Sequence, residues 1–146
     1  MKIHTVVFKK QFNAPVEKVW EDFNNHENLG KIFGQKMTRI KDSSNPNNIN
    51  GIHSVRKIHI PILPFEETIR KSEKPNCIEY RISKGTPLSH HYGIMLFEAE
   101  GNNKTNLHYT IEIGSKIPLL TNIVAAILKN AIGNSLDKYA ANLLKQ

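Results

Sequence analysis

Hydrophobic positions along this chain follow two periods, and the longest helical one lies at the end. Between residues 119 and 146 apolar side chains recur at Leu120, Val124, Ile127 and Ala131, and again at Leu128, Ile132, Leu136, Tyr139 and Leu143. That spacing defines one side of an α-helix. About 26 residues at about 1.5 Å each would make a rod of roughly 39 Å. Nothing upstream is helical for that length, so the surface that buries the rod must be a sheet.

Upstream the period drops to two. Residues 3–12 form a first strand rich in Val and Phe, ended by Asn13-Ala14-Pro15. Pro15 suits a first helical turn and Glu17 complements a helix N-terminus, with Val16, Val19, Trp20 and Phe23 as the apolar side. A second short helix is predicted over 27–33, after the break at Asn24-Asn25-His26. Strands are predicted at 36–41, 52–60, 65–73, 77–84, 90–100 and 105–116. The breaks between them carry Pro61, Pro64, Pro75, Gly85, Pro87 and Gly101, and residues 43–51 form a polar, Asn-rich loop. Alternation is cleanest where Ile78, Tyr80 and Ile82 oppose Glu79, Arg81 and Ser83, and where Leu107, Tyr109, Ile111 and Ile113 oppose His108, Thr110 and Glu112. Residues 90–100 are apolar on both parities: either a bulge switches the faces or the outer one is covered. The expectation is an α+β domain spanning 1–146, with an antiparallel sheet of about six or seven strands curved around the final helix. Two short helices cannot fill the whole groove, so a cavity is expected between rod and sheet.

Composition changes this picture little. With 146 residues, 39% hydrophobic and 23% charged, the chain belongs with ordinary globular domains. Cys77 is alone, so no internal disulfide can form, and a reducing cytoplasm is the expected home. The start of the chain lacks the apolar core of a signal peptide. The net charge of +7 makes nucleic acid or an anionic membrane conceivable. The basic residues are dispersed, however, and only Lys31, Lys36, Arg39 and Lys41 form an acid-free cluster, without any nucleic-acid-binding motif. No nucleic acid partner is expected, and at most peripheral membrane contact through that cluster. The subunit is expected to be a monomer or a homodimer.

The run Phe12-Asn13-Ala14-Pro15-Val16-Glu17-Lys18-Val19-Trp20, then Asn28-Leu29, and later Gly101 and Thr105-Asn106-Leu107, resembles the START-like superfamily. Within it the chain is similar to the polyketide cyclase/dehydrase and lipid-transport branch, which shares the helix-grip fold of birch-pollen allergen-like proteins. The likeness spans nearly the whole chain in element order. It departs where Lys31-Ile32-Phe33-Gly34 stands in place of the Trp-Pro or Phe-Pro pair common in that family. The resemblance implies a deep apolar pocket for a small lipid-like or aromatic ligand.

The residues favour binding over chemistry. His90 and His91 are adjacent on a strand and point to opposite faces, and no zinc-binding spacing occurs, so no metal is expected. No nucleophile elbow or phosphate-cradling glycine loop is present, and no cofactor is expected. Gly93, inside a strand, marks a bulge or room for a ligand or backbone. Glu67 shares parity with Phe65 and Ile69: either it faces the apolar side, paired or hydrogen-bonded, or the strand bulges and it is solvated. Tyr80 and Tyr109 sit on inward faces as core or pocket wall. Gly133 allows close approach of the sheet or a kink. The predicted lining is Trp20, Phe23, Glu67, Ile69, Tyr80, His91, Phe97, Tyr109, Ile127 and Ala131. The expected function is a carrier or sensor of a hydrophobic small molecule such as a lipid, polyketide or aromatic compound. The alternative is a cyclase or dehydratase with Glu67 and His91 as acid–base candidates.

Overall fold

A computed structural model describes all residues, 1–146. Strand β1 (His4–Phe12) leads into helices α1 (Val16–Asn24) and α2 (His26–Phe33). Six strands follow: β2 (Met37–Lys41), β3 (Val55–Ile58), β4 (Phe65–Glu73), β5 (Cys77–Lys84), β6 (His90–Glu100) and β7 (Lys104–Gly114). Helix α3 (Pro118–Leu143) closes the chain. The strands make one antiparallel sheet in the order β1-β7-β6-β5-β4-β3-β2. This is the helix-grip architecture: a curved sheet holding a long terminal helix, with two short helices joining its opposite edges.

Local chemistry sets the elbow. Asn25 ends α1 and starts α2, its side-chain oxygen accepting from the Asn28 N–H at 2.9 Å. Gly34 closes α2 in the left-handed conformation, φ 70°. Curvature comes from register shifts between Arg39 and Lys41 on β2, and on β4 between Glu66 and Glu67 and between Ile69 and Lys71.

Three expectations are corrected. The strand predicted over 52–60 is only Val55–Ile58, because Gly51-Ile52-His53 makes a turn with His53 at φ 70°. Strand β6 carries no bulge. It pairs with β7 residue by residue from His90 to Glu100, which turns His91, Gly93, Met95 and Phe97 inward and leaves Leu96 outside, 46% exposed. The α3 stripe is also narrower than its sequence suggests. Thr121, Ala125, Ile132, Leu136 and Leu143 are buried, while Ile127 is 60% exposed. Polar Thr121 belongs to the buried side because its hydroxyl lies 2.8 Å from Ser115 Oγ, at the point where the chain leaves β7.

Two glycines have opposite meanings. Gly93 pairs directly with Tyr80 across β5 and β6, and a Cβ there would stand 2.1 Å from the tyrosine ring. The room at Gly93 is therefore taken by Tyr80. A Cβ on Gly133 would meet only Phe8, at 3.8 Å, an ordinary contact, so close approach to the sheet does not require glycine.

Candidate functional site

The groove beneath α3 divides into two ends. Toward α1 it is packed solid. Phe12 and Phe23 meet the Tyr139 ring edge-on at 5.0 and 5.2 Å, and Phe23 meets Phe97 at 5.6 Å. The Tyr139 hydroxyl donates to Asp22 at 2.7 Å, and the Trp20 indole N–H donates to the Cys77 carbonyl at 3.2 Å. Trp20, Phe23 and Phe97 were predicted to line a pocket, but here they form a plug. The reason is leverage: α1 lies across the sheet and its three bulky residues reach the facing strands directly.

Beyond Phe33 the packing opens into a cavity of about 190 Å³. Glu67, Tyr80, His91 and Tyr109 line it from the sheet, and Ile127 and Ala131 from α3. Ile69 is fully buried beside Tyr80 and does not reach it. Of the ten predicted lining residues, the structure thus brings six together and leaves four in the core. A larger hollow of about 640 Å³ lies on the outer face of β1, β6 and β7 around Lys9, Gln11, Leu96 and His108. It is shallow and open to solvent, with no convergent buried groups.

The polar side of the cavity is a connected set. Glu67 is buried, its carboxylate accepting from Arg56 Nε at 2.7 Å. The two residues are directly opposite on β4 and β3. Arg56 is 1% exposed, and its guanidinium also lies 4.8 Å from the centre of the Tyr80 ring. Its Nη1 reaches His26 Nδ1 at 3.4 Å, and His26 Nε2 is 2.9 Å from Ser54 Oγ. Arginine can only donate, so His26 Nδ1 carries the lone pair and Nε2–H donates to Ser54. Burial, then the charges of Arg56 and Arg39, push the His26 pKa down to about 2. The imidazole is a neutral structural link between α2 and β3.

Deeper in the cavity the Tyr80 and Tyr109 hydroxyls share a short hydrogen bond. Burial raises both pKa values well above that of free tyrosine. Both phenols remain neutral at physiological pH, and together they keep one free O–H donor as well as acceptor lone pairs. His91 faces the same space, its ring 6.2 Å from Tyr80 and 6.5 Å from Phe65. Burial lowers its pKa, opposed by the Glu67 charge, and its Nδ1 is buried with no partner in the protein. His90, one residue earlier, points outward to Glu112 at 3.1 Å. No three of the His, Cys, Asp and Glu side chains converge as a metal site would require. Cys77 is buried beside Glu79, and burial pushes its thiol pKa up to about 11, the opposite of an activated nucleophile.

The sequence reading missed Arg56 and Phe33. Arg56 shares parity with Ile58, and setting Ile58 opposite Phe65 in the hairpin places Arg56 opposite Glu67. That cross-strand pairing was the available signal. Phe33 ends α2 and lies nearly parallel to the Tyr109 ring, 6.5 Å away, separating plug from cavity.

A curved sheet gripping a terminal helix over a partly polar internal cavity defines the START and birch-pollen allergen-like class of proteins. The chain belongs to the polyketide cyclase/dehydrase and lipid transport family, whose model matches residues 4–145. No curated protein matches it in sequence. Among solved structures, a START superfamily protein from Mycobacterium smegmatis superposes with a TM-score of 0.76 at 11% identity, over 96% of this chain and 99% of that one. The Zhui aromatase/cyclase from Streptomyces sp. R1128 gives 0.74 at 16% identity, over 94% and 93%. Norcoclaurine synthase from Thalictrum flavum, in complex with dopamine and hydroxybenzaldehyde, gives 0.69 at 11% identity, over 97% and 88%.

Proposed function

We propose that the protein binds a small hydrophobic molecule between α3 and the sheet, as a carrier or sensor. The observation that carries this reading is the cavity itself. Its walls are mostly apolar, with Arg56, Glu67, Tyr80, His91 and Tyr109 as the polar groups on the sheet, the arrangement of a ligand site. Size narrows the guest. A cavity of about 150 Å³ accepts benzene, so about 190 Å³ suits one aromatic ring with a few substituents better than a long acyl chain. His91 Nδ1, neutral and unpartnered, would accept a hydrogen bond from a hydroxyl on that guest. Native mass spectrometry of the purified protein would reveal a retained molecule. In a titration with p-cresol, Ala131→Phe should weaken binding at least about tenfold by occupying the space. Unchanged affinity would contradict this placement of the guest.

A second reading is a cyclase or dehydratase. It is favoured by the convergence of Glu67, His91, Tyr80 and Tyr109 on one volume, since such chemistry needs a positioned acid or base and exclusion of water. Glu67 is held by Arg56, which leaves His91 as the freer proton acceptor. With an aromatic or polyketide-like substrate, His91→Ala should lower turnover about a hundredfold. Full turnover in that variant would remove the assignment.

A further inference from the structure

Helix α3 is apolar on more sides than the fold buries. Of its most apolar 18-residue stretch only 17% is buried, and an apolar helix surface of that extent is normally covered. Leu119, Ile123 and Ile127 succeed one another at four-residue spacing, 68%, 49% and 60% exposed, and Ile117 precedes them at 60%. This ridge borders the cavity, because Ile127 is both on the ridge and in the lining.

Across the cavity mouth, the link between β3 and β4 adds Ile62 and Leu63, 95% and 57% exposed. Ile62 is held at φ 77°, a conformation that costs a β-branched residue on the order of 1–3 kcal/mol. Pro61 and Pro64 bracket the pair and stiffen the link. In that conformation the Ile62 side chain stands in water, 95% exposed, with no apolar cover from the rest of the chain.

The surrounding charge indicates the kind of surface that would cover it. The turn after β5 abuts this link, since a Cβ on Gly85 would stand 2.6 Å from the Pro64 carbonyl oxygen. Ser89 N–H donates to the Gly114 carbonyl at 2.8 Å, joining the same turn to the end of β7, just before α3. Residues 43–65, 80–97 and 113–136 contain no Asp or Glu; the acids nearest this end are Glu66, cross-strand from Lys84, Glu67, paired with buried Arg56, and Glu112 beside His90. This end carries the exposed Lys36, Lys84 and Lys116. Two copies meeting here would oppose like charges.

We propose that this end of the molecule docks on an anionic lipid bilayer. Ile62, Leu63 and the Leu119–Ile127 ridge enter the interface, the lysines lie at the headgroups, and the cavity mouth faces the membrane. Burial of protruding apolar tips plus lysine attraction to acidic lipid is the chemistry of peripheral membrane binding. The inference concerns the surface, and it stands whether or not the cavity holds a guest.

The test is flotation of the full chain with vesicles of phosphatidylcholine alone, or with about 30% phosphatidylserine, at about 0.1 M and about 0.5 M KCl. Partitioning should be at least about tenfold stronger on the anionic vesicles and should fall with salt. Ile62→Ser with Leu63→Ser should lower it about a hundredfold, with an unchanged circular dichroism spectrum because both residues are exposed. Lys84→Ala and Lys116→Ala should each lower it about fivefold. Titration with p-cresol without vesicles should be the same in all these variants, which separates failure of docking from failure of the cavity reading. Absence of binding to anionic vesicles, equal binding to neutral ones, or indifference to the Ile62 and Leu63 changes would each overturn the proposal. So would a homodimer that the same changes dissociate.

Discussion

At one end of the groove Phe12, Phe23, Phe97 and Tyr139 close ring on ring. At the other, Arg56, Glu67, Tyr80, Tyr109 and His91 face α3 across a cavity of about 190 Å³. Both ends lie under the same helix and on the same sheet, so the difference comes from what else reaches in. The α1 side supplies three bulky residues and the α2 side supplies Phe33 at its margin. Past Phe33 no element enters, and α3 presents Ala131 and Ser135 where the plug end presents Leu136 and Tyr139. Alongside Ile127, Leu128 and Ile132, Ala131 and Ser135 are the small members of the helix lining, and no bulky side chain from a third element fills the space opposite them. On the proposed reading, stability is concentrated at the plug and recognition at the cavity.

The largest expected effect is at the plug. Phe23→Ala should cost about 3–5 kcal/mol in urea unfolding, whereas Ile127→Ala should cost less than about 1 kcal/mol because that side chain is 60% exposed. Similar losses at both positions would erase the distinction between the ends.

Almost as large is the effect of splitting the buried ion pair. Glu67→Gln or Arg56→Met alone should cost roughly 3–5 kcal/mol, because each strands a buried charge or donor. The double variant Arg56→Met/Glu67→Leu should recover most of that loss. A double variant as unstable as either single one would mean that the pair itself contributes net stability.

Acid should act through the buried link between α2 and β3. The folded-state pKa of His26, about 2, lies below the unfolded value of 6.5, so the folded state binds fewer protons. Its contribution is complete above about pH 6.5 and declines as pH falls toward 2, by about 2 kcal/mol at pH 5. The lowered pKa of His91 acts in the same direction. Unfolding followed from pH 7.5 to pH 4.5 should show this fall, and a His26→Gln variant should show a shallower one. A wild-type profile flat across that range would remove His26 from the account.

The smallest predicted change is a gain. Gly133→Ala should stabilise the protein by about 1 kcal/mol, since its Cβ meets only Phe8, at 3.8 Å. Destabilisation would show a close approach of helix and sheet that these distances do not contain.

Much of this architecture was written in the hydrophobic periods. The period of two at Leu107, Tyr109, Ile111 and Ile113 and the helical spacing from Leu120 to Leu143 define sheet and rod, and their mismatch with two short helices implies an unfilled groove. Parity turned Tyr80 and Tyr109 inward and left Glu67 open between the apolar side and solvent. Three-dimensional reach was not legible. Trp20 and Phe23 show the period expected of either a pocket wall or a plug, and only the crossing of α1 over the sheet decides between them. Arg56 was hidden because a charged residue in a strand ordinarily points to water, and its inward turn depends on a partner eleven residues away, Glu67. The extent of α3 left uncovered could not be inferred either, since an apolar stripe does not state how much of it is buried.

The account rests on the open end holding a small guest while the plug excludes one, and amide and aromatic NMR shifts during a p-cresol titration test this directly. Resonances of His91, Tyr80, Tyr109, Leu128 and Ala131 should move together and saturate, while those of Trp20, Phe23 and Phe97 stay fixed. Saturable shifts at the plug residues with none around His91, or no saturable shifts anywhere, would contradict it.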